Sequence, residues 1–348
     1  MKKIVIYILN KIVQKYFFQN INRLSILLQR LKIENLTRKK NIQIVYDLLV
    51  SPPTYGDFIY TLMVCRYFLA KEFNVEFIII NSNLRSDWKN LEDNGKSKEL
   101  IDSLFLLANE LTKEFLNITI VLVKWTEYIK IKKKIFILFK EDVLKRRPLY
   151  HMNFNLFSKL LQNANILIVE KVLLKSNSDI TLETLNKIGI TSKYIVWPCR
   201  FNKLWGSERN LTTTEFIQIG SFLLENFTKH KILVLSDDEG CQHYKKISEE
   251  NNLKLNFSKP FTNSFIDDMN LLLNSSFVFQ LRSGGIGMTT WFTKIPYLMF
   301  VPLANEKYFK KNKFVSWSTD SQLFFNQSKL KNYDSLNSHL IKFNNILH

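Results

Sequence analysis

Cysteine is nearly absent from this chain: Cys65, Cys199 and Cys241 are the only three, and no two form a Cys-x-x-Cys pair. That spacing excludes a disulfide framework and a structural zinc site, and it implies a reducing compartment. Glycine and proline are also sparse, nine and seven in 348 residues, so neither a collagen-like repeat nor a Gly/Pro-rich linker is present. No apolar run approaches the roughly 18 residues a helix needs to cross a bilayer. The short apolar stretch at residues 4–9 lacks the length and cleavage site of a signal peptide. A cytoplasmic location is the expectation. Acidic residues are outnumbered 31 to 49 by Lys and Arg, giving a formal net charge of +18. Such an excess attracts polyanions, whether nucleic acid, anionic lipid or phosphorylated small molecules, and its sign alone does not choose among them. Part of it is compositional, because the chain is rich in Lys, Asn, Ile and Phe.

What is present is an ordinary globular balance, 46% hydrophobic and 23% charged, which excludes a wholly disordered chain. The length exceeds the usual single-domain size, so two domains of about 150 residues each are expected. Residues 1–40 form an appendix in which Val13, Phe17, Leu24, Leu27, Leu28 and Leu31 recur at three- and four-residue spacing. Lys11, Lys15, Arg23, Arg30 and Lys32 lie between them, the pattern of a basic amphipathic helix. Such a helix can lie on an anionic membrane at the inner face of the plasma membrane, or pack on the protein's own core.

From residue 41 the pattern alternates between strand and helix. Residues 42–50 read as a strand, 58–70 as a helix and 75–80 as a β-branched strand, together a βαβ unit. Further strands are expected at 118–123, 135–139 and 166–169, with a helix near 98–115. The alternation restarts with strands at 194–197, 231–235 and 277–281, helices at 213–226 and 243–251, a short helix at 287–292 and a closing strand at 297–300. Two α/β domains follow, 41–190 and 191–348, with a junction near 186–193.

Three segments can carry chemistry. The first, Ser51-Pro-Pro-Thr54-Tyr55-Gly56-Asp57, follows a strand, where open α/β sheets bind ligands. Asp57 can serve as N-cap of the following helix, or as a general base that accepts a proton from a sugar hydroxyl. The second, Trp197-Pro-Cys-Arg200-Phe-Asn-Lys203-Leu-Trp205, offers Arg200 as a bidentate fork and Lys203 as a point charge to a diphosphate. The third runs Arg282, Ser283, Gly284, Gly285, Ile286, Gly287, Met288, Thr289, Thr290 and opens a short helix. Three glycines beside hydroxyls suit close approach of a phosphate to backbone amides, although a tight strand-to-helix turn explains one of them. The acidic runs Asp237-Asp238-Glu239 and Asp267-Asp268 fit turn and helix-start chemistry better than a metal site. Asp238 is a candidate for ribose or acceptor hydroxyl contacts. The basic cluster at residues 130–134 and 145–147 lacks the aromatic residues of an RNA platform, so no nucleic-acid partner is expected.

Taken in order, these segments resemble the bacterial lipopolysaccharide heptosyltransferases and their GT-B relatives. Gly56-Asp57-Phe-Ile-Tyr-Thr-Leu62 is similar to that family's Gly-Asp motif at the first helix, which implies Asp57 as catalytic base. Lys203-Leu-Trp205 resembles its Lys-x-Trp, which implies that Lys203 faces the donor's phosphates. Ser283-Gly284 matches the Ser/Thr-Gly of the donor-phosphate loop, and Lys294-Ile-Pro296 resembles the step before the next strand. Two positions depart, Arg282 standing where the family has Asp and Gly287 where it has His. The resemblance therefore implies a nucleotide-diphosphate-sugar donor without naming its base or sugar. It further implies a GT-B fold of two Rossmann-like domains facing a central cleft, and a glycan or lipid-linked acceptor. The expectation that goes with it is inverting transfer without a metal, and with no cofactor, since the nucleotide-sugar is a substrate. A nucleotide-sugar epimerase on the same fold and a noncatalytic basic protein that binds nucleic acid or membrane are the competing readings.

Overall fold

The computed structural model describes residues 40–49, 51, 54–81, 97–130, 160, 164–175, 178–201, 203, 210–281, 285–302 and 322–326. The expected N-terminal helix, the strand at 135–139 and most of the basic cluster lie outside them. The chain divides into two compact units, Met1–Pro53 with Tyr60–Lys171, and Thr54–Ile59 with Val172–His348.

In the first unit, β1 (Asn41–Asp47), β2 (Asn74–Ile80) and β3 (Ile118–Val123) form a parallel sheet in that order, with Ile42 opposite Val75 and Val75 opposite Ile118. β1 stops three residues short of the expected end. Asp47 is the cause: its Oδ1 accepts the Leu49 amide at 3.0 Å and its carbonyl accepts the Ser51 amide at 2.8 Å, closing a turn. α1 (Tyr55–Ala70) follows, beginning three residues earlier than expected. It is apolar nearly all round, with Phe58, Ile59, Leu62, Met63, Val64, Cys65 and Phe68 buried, as befits a helix enclosed on every side. α2 (Ser97–Thr112) buries Ile101, Leu104, Leu107, Ala108 and Leu111 at helical spacing and exposes its other face. α3 (Trp125–Tyr128) is a single turn after β3.

The strand expected at 166–169 is instead helix α4 (Ile166–Val172). Asn165 decides the matter, because its Oδ1 accepts the Ile168 amide at 2.9 Å and its carbonyl accepts the Val169 amide, satisfying donors that a helix start leaves orphaned. Ile166 and Leu167 are 66% and 70% exposed, so their apolar character reported nothing about a sheet.

Arg66 of α1 ties three helices together. Its guanidinium donates to the Leu111 carbonyl in the last turn of α2 and to the Lys171 carbonyl in the last turn of α4 at 3.0 Å, and it pairs with Glu114 at 2.5 Å. Those carbonyls have no partner within their own helices, so one buried cation satisfies two helix ends at once.

The second unit opens with α5 (Ser178–Ile188) and then builds a parallel sheet from β4 (Tyr194–Pro198), β5 (Lys231–Leu235), β6 (Asn256–Phe257), β7 (Phe277–Leu281), β8 (Tyr297–Pro302) and β9 (Gln322–Asn326). The order is β6-β5-β4-β7-β8-β9, and β6 and β9 were not anticipated: β6 is two residues long, and β9 lies beyond the strand expected to close the sheet. α6 (Thr213–Asn226), α7 (Asp238–Glu250) and α8 (Phe265–Leu273) connect the strands. Their starts carry side-chain caps: Thr212 with Glu215, Asp237 to the Gly240 amide at 2.7 Å, and Ser264 with Asp267. α7 thus begins five residues before the expected 243, and α8 begins ahead of Asp267-Asp268 rather than after them. α9 (Ile286–Thr289) and a 3-10 turn (Thr290–Phe292) precede β8.

The core of this unit is an aromatic column. Trp197 of β4 stacks on Phe216 of α6 at 4.9 Å, Phe216 on Tyr244 of α7 at 4.6 Å, and Trp197 meets Phe279 of β7 edge-on at 6.3 Å. Each ring is buried.

Between β6 and α8, Asp268 turns inward. Its Oδ1 accepts the Thr262 hydroxyl at 2.8 Å, and its Oδ2 lies 3.6 Å from Lys259 Nζ, which itself donates to the Thr262 carbonyl at 2.8 Å. Burial pushes the Asp268 carboxyl up from 3.8 to about 6, the ammonium of Lys259 and the hydroxyl bonds offsetting only part of that.

Two outcomes follow from these buried charges. Arg66→Ala leaves two helix-end carbonyls and part of Glu114 unpaired, and it lowers unfolding free energy by about 2–4 kcal/mol; an unchanged denaturant midpoint would refute that role. Because the folded Asp268 binds its proton more tightly than the unfolded residue, its contribution to stability falls as pH rises from about 4 to about 6 and is constant above. Thermal melts of the Asp268→Asn variant across that window should show a shallower pH dependence than wild type. A parallel pair of curves would remove Asp268 as the cause.

Candidate functional site

In the second sheet the chain winds from β4 through β5 to β6, then returns to the other side of β4 and continues through β7, β8 and β9. The winding reverses between β4 and β7, and an open parallel sheet leaves a crevice outside the carboxyl ends of its strands at such a reversal. β4 runs into Cys199, Arg200, Phe201 and Lys203, and β7 runs into the glycine turn. Two of the three segments singled out in the sequence therefore leave the sheet from the two strands that flank one crevice. Arg282, Ser283 and Gly284 lie outside the described residues, as do Trp205 and the side chain of Met288.

The segment after β4 is held by the aromatic column. Phe201 meets Tyr244 edge-on at 5.9 Å and stacks on His243 at 4.4 Å, while the Tyr244 hydroxyl donates to the Arg200 carbonyl at 2.8 Å. Lys203 Nζ sits 5.6 Å from the Phe201 ring centroid and pairs with Glu239 in the first turn of α7. The Arg200 guanidinium reaches Asn210 Oδ1 at 3.4 Å. Asp238, beside Glu239, is exposed in the same turn. Gly240 completes this corner: a Cβ on it would lie 2.0 Å from Ser236 Oγ and 2.9 Å from Phe201 Cβ, so only glycine lets α7 start this close to the segment after β4.

On the other flank, Gly285 has φ +65°, a backbone conformation that side chains disfavour, and it leads into α9. Gly287 is buried there, and the buried hydroxyls of Thr289 and Thr290 have no hydrogen-bond partner among the described residues. Orphaned buried hydroxyls are unusual in folded proteins.

Thr54–Ile59, the start of α1, groups with this unit. The helix begins at Tyr55, so Asp57 is its third residue and not the N-cap; Thr54 is the cap. Asp57 N donates to Thr54 Oγ1 at 3.4 Å, and the Thr54 hydroxyl donates to Asp57 Oδ2 at 2.7 Å. That pairing follows the capping-box spacing, with the carboxylate at the positive end of the helix dipole. Gly56, between them, is buried. The Tyr55 ring stacks on Phe265, the first residue of α8, with centroids 4.2 Å apart and planes 11° from parallel. The same Phe265 ring lies 3.7 Å from where a Cβ of Gly285 would stand. One aromatic side chain thus joins the segment bearing Asp57 to the glycine turn. No local pattern marks Phe265 in the sequence, because its role rests on partners 210 and 20 residues away.

A separate open cavity of about 520 Å³ occurs in the first unit, lined by Asn41, Gln43, Asn74, Glu76, Asn117 and Thr119 among others. It lies at the amino ends of the strands, the opposite end from the one at which open α/β sheets hold ligands, and none of the candidate residues borders it.

Among solved structures, the chain is similar to the ADP-heptose LPS heptosyltransferase II of E. coli, at 9% identity and a TM-score of 0.49 over 87% of this chain and 98% of that one. It is also similar to a glycosyl transferase family 9 protein of Veillonella parvula, at 10% identity and a TM-score of 0.48 over 88% and 96%. A third similarity is to S. aureus MnaA solved with UDP, at 12% identity and a TM-score of 0.32 over 74% and 78%. No family model matches the sequence, and no curated protein matches it.

Proposed function

We propose that this chain is a glycosyltransferase of the GT-B class, moving a sugar from a nucleotide-diphosphate donor to a cell-surface glycan or lipopolysaccharide acceptor on the cytoplasmic side of a bacterial membrane. The observation that carries the reading is the Phe265 ring, stacked on Tyr55 and lying against the Gly285 turn, since it gathers an acidic residue and a phosphate-type turn at the carboxyl edge of one sheet. A noncatalytic basic protein has no need of that gathering.

In this reading the nucleotide-sugar is a substrate, and neither a metal nor a cofactor takes part. Asp57 accepts the proton of the acceptor hydroxyl, whose oxygen attacks the anomeric carbon from the face opposite the diphosphate. The bond to the diphosphate breaks, and its electrons leave with the phosphate oxygen. Arg200, Lys203, Arg282 and the amides of Ser283, Gly284, Gly285, Gly287, Met288 and Thr289 receive that growing negative charge. Lys203 exchanges Glu239 for phosphate when donor binds. Holding Asp57 in the capping pair with Thr54 does not oppose its use as a base: the pairing fixes the carboxylate's orientation, which proton transfer in a defined direction requires.

Thermal-shift measurements with ADP, GDP, UDP and CMP and their sugars should return one selectively stabilising nucleotide; a flat response to all four would end the proposal. With that donor, Asp57→Asn lowers kcat by roughly 10²–10⁴-fold while donor affinity stays within about twofold. Retention of most turnover would remove Asp57 as the base. Gly285→Val forces a side chain into a left-handed conformation and weakens donor binding at least tenfold by titration calorimetry, whereas unchanged affinity would detach this turn from the donor.

A further inference from the structure

We propose that the amino edge of the second sheet, opposite the candidate donor edge, is a docking surface for an anionic lipid bilayer. Five connections enter strands at that edge: residues 189–193 before β4, 227–230 before β5, 251–255 before β6, 274–276 before β7 and 293–296 before β8. They contain Lys193, Lys229, His230, Lys254 and Lys294 and not one Asp or Glu, and Lys231 opens β5. Lys193, Lys229, Lys231, Lys254 and Lys294 are all exposed.

Pairing separates these lysines from the others of the unit. Lys187, Lys203, Lys245, Lys246 and Lys259 each have an acidic partner, respectively Glu183, Glu239, Glu249, Glu250 and Asp268. Lys193, Lys229, Lys231 and Lys254 have none among the described residues, and α6, α7 and α8 carry no basic residue in their last turns. The unpaired set is therefore not a collection of helix-end caps.

Register brings the four together. Tyr194 lies opposite Lys231, with the Lys231 amide bonded to the Lys193 carbonyl at 3.0 Å. The Leu255 amide bonds back to the Leu253 carbonyl at 3.0 Å, a tight turn that holds Lys254 at the entry to β6, the strand that pairs with the one Lys231 opens. Adjacent strands are about 4.8 Å apart, so the ammonium groups share one edge within roughly a Debye length. Lysines are hydrated point charges on flexible stems, without the planar fork that selects a single phosphate group. Nor does the edge present an array of exposed rings on which bases could stack: Tyr194, Phe227 and Phe277 are buried. A diffuse negative plane is the partner that this chemistry fits, and each lysine near such a plane strengthens partition roughly fivefold. The inference is independent of the transferase reading, because its lysines stand at the far ends of the strands.

Full-length protein is floated with vesicles of phosphatidylglycerol and phosphatidylcholine, with pure phosphatidylcholine vesicles and with single-stranded RNA as comparisons. Wild type should partition to the anionic vesicles at 50 mM salt, not to the neutral ones, and release at 500 mM. Changing Lys193, Lys229, Lys231 and Lys254 together to Gln should reduce partition at least tenfold. A charge-matched variant with Gln at Lys71, Lys98, Lys113 and Lys124, all exposed in the first unit, should stay within about threefold of wild type, and matching thermal melts establish that both variants fold. The proposal is overturned if wild type ignores anionic vesicles, if both variants lose binding equally, if the edge variant binds as wild type does, or if RNA is bound in preference to lipid through the same four lysines.

Discussion

A parallel sheet with helices on both sides cannot wind in one direction throughout; somewhere the chain must cross to the other side of its first strand. In the second unit that crossing lies between β4 and β7, and most of what bears on function is arranged around it. It explains why the Arg200–Lys203 segment and the glycine turn, about 80 residues apart in sequence, leave neighbouring strands. It also explains why the centre of the sheet is so rigid, since Trp197 and Phe279 lie on these two strands and the aromatic column anchors both. The column extends through Tyr244 to Phe201 and thus to Lys203, so packing in the core sets the position of a cation at the edge.

Much of this frame was legible in the sequence because the signals are local. The strands Ile118–Val123, Lys231–Leu235 and Phe277–Leu281 and the helix Thr213–Asn226 fall where β-branched runs and apolar periodicity put them. Misreadings came where a single polar residue outweighs apolar pattern. Asn165 turns Ile166–Val172 into a helix, and the Asp47 turn cuts β1 short. At the candidate site the sequence identified Asp57 and the glycine turn but not what links them: Phe265 acts through a ring contact across 210 residues, which no window of sequence displays. Gly240 escaped notice for the same reason, as its necessity comes from Ser236 and Phe201 rather than from its own turn.

Asp57 has a structural role beside the chemical one proposed for it. Read alone, its position beside a helix start offered a choice between cap and base. The structure gives the cap to Thr54 and places Asp57 three residues further in, where its carboxylate receives the Thr54 hydroxyl. The same dipole that favours a carboxylate at a helix start favours the charged form a base must have before it takes a proton.

The two edges of the second sheet differ in how their charge is managed, and that difference is the more informative use of the +18 net charge. At the carboxyl edge Lys203 is matched by Glu239 and Lys259 by Asp268, with Asp237 and Asp238 close by, so cations there are held against acids. At the amino edge the entry loops hold lysines and no acid, the acids there being Glu225, Glu249 and Glu250 in the last turns of α6 and α7. Composition alone would scatter excess Lys over every loop, together with the acids that remain. Within the loops the contrast holds: the five entry loops carry Lys193, Lys229, Lys254 and Lys294 and no acid, while the turn after β5 carries Asp237, Asp238 and Glu239. Unmatched cations on one edge raise the electrostatic cost of the folded state, and a negative plane is the simplest partner that offsets it.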